Sequence, residues 1–180
     1  MKKLIIAAAA VAMGIAAQAA NVNWNTGTLY LPNPDGSWSS TKATTTTAGT
    51  WSIVVSFFDS TGTAFEAGGT LSDDSISALN ALNGSATGFE NGKDYYMSAI
   101  LKYTDSSYEY TKEFDKVAFS TKTTGATSAN MQQDTVFASK MIDTSAPLGW
   151  TITSTSVPEP TSGLLMVLGL AGLALKRKRA

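Results

Sequence analysis

Two stretches of the chain alternate side chains with a period of two. In residues 50–58, Trp51, Ile53, Val55 and Phe57 fall on one face and Ser52, Val54, Ser56 and Phe58 on the other. In residues 95–104, Tyr95, Met97, Ala99, Leu101 and Tyr103 fall on one face and Tyr96, Ser98, Ile100, Lys102 and Thr104 on the other. A pleated strand places residues i, i+2 and i+4 on one side, whereas a helix would scatter them around its axis. These segments therefore predict strands with one buried face. Asp105-Ser106-Ser107 predicts a turn, since Asp and Ser side chains bond their own backbone two residues on. Tyr108 to Phe114 then returns as a strand, with Tyr108, Tyr110 and Phe114 opposite Glu109, Thr111 and Glu113, and Lys116 to Thr121 continues or follows it.

Further strand candidates are Thr28 to Leu31, Trp38 to Thr41, Asp134 to Met141 and Trp150 to Ser154. Asn33-Pro34-Asp35-Gly36 predicts a turn in which Pro sets φ and Gly takes positive φ. Thr44 to Thr47 predicts a mobile loop or a strand edge. One short helix is expected: Ser72 or Asp73 caps it, Ile76, Leu79 and Leu82 share a stripe, and Gly84 ends it. Asn83-Gly84-Ser85 fits a glycosylation pattern but reads as that helix stop. The body, residues 20–156, holds 23 Thr and 19 Ser, a composition compatible with strands. Short strands with polar turns and no fixed repeat give a mainly β fold, an antiparallel β-sandwich with one short helix. A curved single sheet or partial barrel is the alternative.

The chain has no Cys and no His. That excludes disulfides, Cys or His zinc sites and any nucleophile–histidine triad within it. No EF-hand loop is present, so neither a metal nor another cofactor is expected. Paired carboxylates of a small glycoside hydrolase would have to come from Asp73, Asp74, Glu109 and Glu113. The simpler reading makes the first two helix-start acids and the last two a solvated strand face, so the body is expected to be non-enzymatic. Sugar binding would use exposed rings, and Trp24, Tyr30 and Trp38 flank one predicted hairpin. Against this, aromatic residues dominate core burial. Ice binding would want regular threonine ranks. Thr26-x-Thr28, Thr61-x-Thr63, Thr121-x-Thr123 and Thr151-x-Thr153 are irregularly spaced and follow from strand propensity.

The two ends differ from the body. Met1-Lys2-Lys3, an apolar run from Leu4 to Ile15 and the small residues Ala17 and Ala19 form a signal peptide over 1–19, with cleavage by signal peptidase after Ala19. At the other end stand Val157, Pro158, Glu159 and Pro160, then an apolar run from Gly163 to Leu175, then Lys176, Arg177, Lys178 and Arg179. The prolines forbid helix and favour an extended segment that a protease cleft binds. The apolar run predicts a transmembrane helix over 163–175, short for a hydrocarbon core of about 30 Å, with the cations as its cytoplasmic stop. Without these ends the body carries 7 basic and 13 acidic residues, near −6, and no Arg. Such a balance argues against a nucleic-acid partner.

Residues 157–180 resemble the PEP-CTERM sorting signal, whose pattern is Pro-Glu-Pro, a hydrophobic segment and a terminal basic cluster. Tails of this type are also described for ice-binding proteins. The resemblance covers the tail and nothing of the body. It implies processing by an exosortase-type transpeptidase, transient residence in the inner membrane, delivery to the cell surface or extracellular matrix, and co-occurrence with exopolysaccharide. The expected protein is therefore a non-enzymatic exported surface or matrix protein. A body that binds exopolysaccharide or another glycan, or less readily ice, is the alternative, and a small glycoside hydrolase a remote one.

Overall fold

The computed structural model describes residues 19–133 and 135–155. The expected signal peptide over 1–19, apart from Ala19, and the expected transmembrane helix over 163–175 lie outside the described residues. Twelve strands run in chain order: β1 (Ala19–Asn25), β2 (Tyr30–Pro32), β3 (Trp38–Lys42), β4 (Thr50–Phe58), β5 (Ala64–Phe65), β6 (Gly68–Gly69), β7 (Ser72–Asp73), β8 (Asn83–Glu90), β9 (Asp94–Thr104), β10 (Tyr108–Ser120), β11 (Thr127–Asn130) and β12 (Thr151–Ser154). They form a four-stranded sheet ordered β11-β1-β8-β6, a six-stranded sheet ordered β12-β10-β9-β4-β5 with β7 also on β4, and the hairpin β2-β3. All pairings are antiparallel except β1 with β11.

The alternating segments become the centre of the larger sheet. β4 and β9 pair from Thr50↔Thr104 to Phe58↔Tyr96 without interruption. Their predicted apolar faces are buried: Trp51, Ile53, Val55, Phe57, Met97, Ala99 and Leu101 are each at most 3% exposed. The opposite face is open, with Val54 50% and Ile100 39% exposed. β10 shifts register between Phe114 and Val117. That bulge moves the inward set from Tyr110 and Phe114 to Val117 and Phe119, so one long strand keeps apolar residues inside on both sides of the irregularity.

Side chains from both sheets share one core. Val22, Trp24, Ala86, Phe89 and Ala129 from the smaller sheet join Ile53, Val55, Met97 and Leu101 from the larger. Phe89 meets Phe57 edge-on with ring centroids 5.0 Å apart, and meets Tyr95 at 5.0 Å. A second aromatic group joins Trp51, Tyr103, Tyr110 and Trp150, with Trp51 and Tyr103 rings 4.8 Å apart.

The expected helix over residues 72–84 is not formed, and no helix occurs among the described residues. Ser72 and Asp73 instead add β7 to β4, pairing with Val54 and Ile53. Asp73 accepts hydrogen bonds from the amides of Ser75 and Asn83 rather than capping a helix. Leu79 is 81% exposed while Leu82 is fully buried, so the supposed stripe is divided between a turn tip and the core. Gly84 lies within β8 against the Trp24 ring. Of the strand expected over 134–141, the described residues 135–141 form none: a single bridge joins Phe137 to Phe119, and the amides of Met141 and Ile142 both donate to the Met131 carbonyl.

The predicted turns form. The Gly36 amide donates to the Asn33 carbonyl at 2.9 Å, with Gly36 at φ +81°. Asp105 Oδ1 accepts from the amides of Ser107 and Tyr108. The Thr44–Thr47 segment, expected as a mobile loop or a strand edge, is instead a turn in which the Thr44 amide donates to Thr47 Oγ1 at 2.8 Å.

Candidate functional site

The three aromatic residues expected to stack on sugars do not form a platform. Trp24 sits on the inner side of β1 and is 1% exposed. Its indole N–H donates to the Thr70 carbonyl at 2.9 Å. The alternation that carries Val22 and Trp24 inward is the cause, because burying a ring of this size outweighs leaving it in water. Tyr30 is half-buried on β2. Trp38, half-buried on β3, donates to the Asp143 carbonyl at 3.3 Å and packs edge-on against Trp150 at 5.9 Å. A coplanar, exposed Trp24–Trp38 pair is therefore not present. The threonine pairs are divided: Thr26 is fully buried and Thr121 is 4% exposed, whereas Thr61, Thr63, Thr151 and Thr153 are exposed, the first two in a turn and the last two on β12. The Thr26 hydroxyl accepts the Leu82 amide, a structural contact unavailable to a surface rank.

The four acids fall in two separate groups, Asp73 with its chain neighbour Asp74, which accepts from the Ser75 hydroxyl, and Glu109 with Glu113 on β10. Asp73 belongs to β7, on the far side of β4 and β9 from β10, which carries Glu109 and Glu113. Three strand spacings put these backbones about 14 Å apart. Glu109 pairs with Lys102 at 3.6 Å across the sheet face, both side chains being well exposed. The carboxyls with resolved shifts serve turns. Asp35, Asp59 and Asp143 are each held below the ordinary aspartate value, chiefly by the hydroxyl two residues on (Ser37, Thr61 and Ser145) and then by backbone amides. Burial raises Tyr103 and Tyr110, with the Asp105 charge adding to both. The Tyr103 hydroxyl donates to the Ala48 carbonyl, which makes it a tie between β9 and the loop before β4.

A feature missed by the sequence reading is a groove of about 1170 Å³ on the outer face of the smaller sheet. Its floor is set by strand register. Asn23 of β1 lies between Ser128 of β11 and Ser85 of β8, and Asn25 lies between Asn130 and Asn83. Two polar rows thus cross three strands. The signal was present in Asn21-Val22-Asn23-Trp24-Asn25, a strict alternation masked by the apolar leader just before it. The walls come from the Ser77–Ala81 turn, with Leu79 at its tip, and from Gln132 and Gln133.

Residues 156–179 match the family model of the PEP-CTERM protein-sorting motif. The chain carries an exosortase sorting signal. That PEP-CTERM motif marks it as an exported protein, held at its C-terminus in the membrane before processing. The match begins one residue after Thr155, whose amide donates to the Ser107 carbonyl and ties down the end of β12. The motif therefore begins directly after Thr155, the last described residue. No curated protein matches the chain, and no solved structure does.

Proposed function

We propose that this chain is a non-enzymatic protein of the cell surface or extracellular matrix, delivered there by PEP-CTERM processing. The observation that carries the reading is the sorting motif at 156–179, which in sequence begins two residues after the end of β12. In this reading signal peptidase cuts after Ala19. Val157, Pro158, Glu159 and Pro160 lie extended in the exosortase cleft, while residues 163–175 hold the chain in the inner membrane. Lys176 to Arg179 keep the end in the cytoplasm, since moving four cations through hydrocarbon is costly.

We read the body as a β-sandwich of the four- and six-stranded sheets, and its role as that of a rigid coat unit. Support comes from the single shared core, from a body without His or Cys, and from a surface of hydroxyls and amides. Replacing Pro158, Glu159 and Pro160 together by Ala in the producing cell tests the sorting part. The chain is expected to accumulate in the membrane fraction, as it would without the exosortase. Unchanged release from both the triple variant and an exosortase-deficient cell would refute it.

A further inference from the structure

The outer groove of the smaller sheet has a chemistry that selects its occupant. Its floor is the two rows Ser128–Asn23–Ser85 and Asn130–Asn25–Asn83. Adjacent strands stand about 4.8 Å apart and residues i and i+2 about 6.8 Å apart, so the six side chains form a regular grid. Among the described residues, no Asp, Glu, Lys or Arg lines the groove. Several amides are already oriented. Asn25 Oδ1 accepts the Gly27 amide and Asn130 Oδ1 accepts the Gln132 amide, each at 3.0 Å, which leaves both Nδ2 groups as donors. Gln132 Nε2 donates to the Thr28 carbonyl at 2.7 Å, leaving its Oε1 as an acceptor. The side chains of Asn23, Asn83, Ser85 and Ser128 bond to nothing among the described residues and present both donors and acceptors.

Each class of ligand meets this grid differently. A charged ligand finds no counter-charge there, and its desolvation is uncompensated. An apolar ligand would dry the amides without replacing their bonds to water. A chain of hydroxyls offers a donor and an acceptor at each contact and satisfies the grid without charge. We propose that this groove binds an uncharged, polyhydroxylated chain, a neutral glycan, through the Asn and Ser rows rather than through aromatic stacking. The Trp24 ring cannot contribute, because it lies on the other side of the same strand with 1% exposure. Strand backbones fix the grid, so recognition depends on the spacing and orientation of the hydroxyls. The assignment does not depend on the sorting tail, and its failure would leave that reading intact.

Affinity electrophoresis of the full chain tests it, in a polyoxyethylene detergent that carries no sugar. The gels contain dextran, hydroxyethyl cellulose, laminarin or galactomannan, with anionic alginate for contrast. At least one neutral polymer should retard the protein, and about 0.3 M NaCl should leave the retardation unchanged, since no charge is screened. Asn23→Ala with Asn83→Ala should weaken the retardation by about tenfold through the loss of two amides. Ser56→Ala, on the exposed face of the other sheet, should not change it. Asn23 and Asn83 are exposed, so the double variant should melt within about 2 °C of the parent. Ser128→Asp gives a second route, placing a charge in the groove without removing an amide, and should also abolish retardation. Retardation by no neutral polymer, by alginate alone, or equally in the parent and both groove variants would overturn the proposal. So would retardation traced to self-association of the chain through this face.

Discussion

Replacing Trp24 by Ala separates a ring that holds the fold from a ring that meets a ligand. The indole is 1% exposed and its N–H bonds the Thr70 carbonyl at 2.9 Å. Removing it deletes the largest fully buried side chain of the core and strips that carbonyl of its partner. Trp-to-Ala changes in cores cost about 3–5 kcal/mol, a large share of the roughly 5–15 kcal/mol of a typical domain. For a body of 137 residues, at about 3–5 °C per kcal/mol, the melting temperature should fall by about 10–20 °C. Trp24→Phe keeps most of the volume but orphans the Thr70 carbonyl, and should cost about 1–3 kcal/mol. Both are read from thermal melts followed by circular dichroism. A Trp24→Ala variant melting within about 2 °C of the parent would refute the buried placement of this ring and reopen it as a surface contact.

Other outcomes follow from the same contacts. A Cβ at Gly84 would come 2.4 Å from Trp24 Cζ2 and 2.6 Å from the Thr70 carbonyl oxygen. Gly84→Ala should therefore destabilise by about 1–3 kcal/mol, measured by urea titration, and a neutral result would contradict the close approach of β8 to that ring. The carboxyls of Asp35, Asp59 and Asp143 are lowered in the fold, so their contribution is complete above the ordinary aspartate value and is lost as pH falls through the lowered one. Urea midpoints should drop on acidification below about pH 4, and the triple change to Asn should flatten that limb. A triple variant with the same acid limb as the parent would place the acid sensitivity elsewhere.

The centre of the larger sheet was legible because alternation there is unbroken. β4 and β9 bury the faces assigned from residues 50–58 and 95–104, and the turns at Asn33–Gly36 and Asp105–Ser107 follow from Pro, Gly and Asp chemistry. Residues 72–84 were misread because Ile76, Leu79 and Leu82 repeat every three residues by coincidence. Their backbone is committed to distant partners instead: the Thr26 amide donates to the Leu82 carbonyl, and the Thr26 hydroxyl accepts the Leu82 amide. Such pairings across more than fifty residues leave no local trace. β8 escaped notice for a related reason, since Gly84 is chosen for the room Trp24 needs rather than for strand propensity. The groove was hidden because four of its six grid residues reach Asn23 and Asn25 only through register between β1, β8 and β11. The sorting tail is the opposite case, a linear signal complete in two dozen consecutive residues.

Transport is the claim on which the account turns, and the mass of the protein recovered outside the cell tests it most directly. Intact-mass spectrometry should give a chain that starts at Ala20 and ends near Pro160. A released protein that still carries Lys176 to Arg179 would contradict processing at the motif.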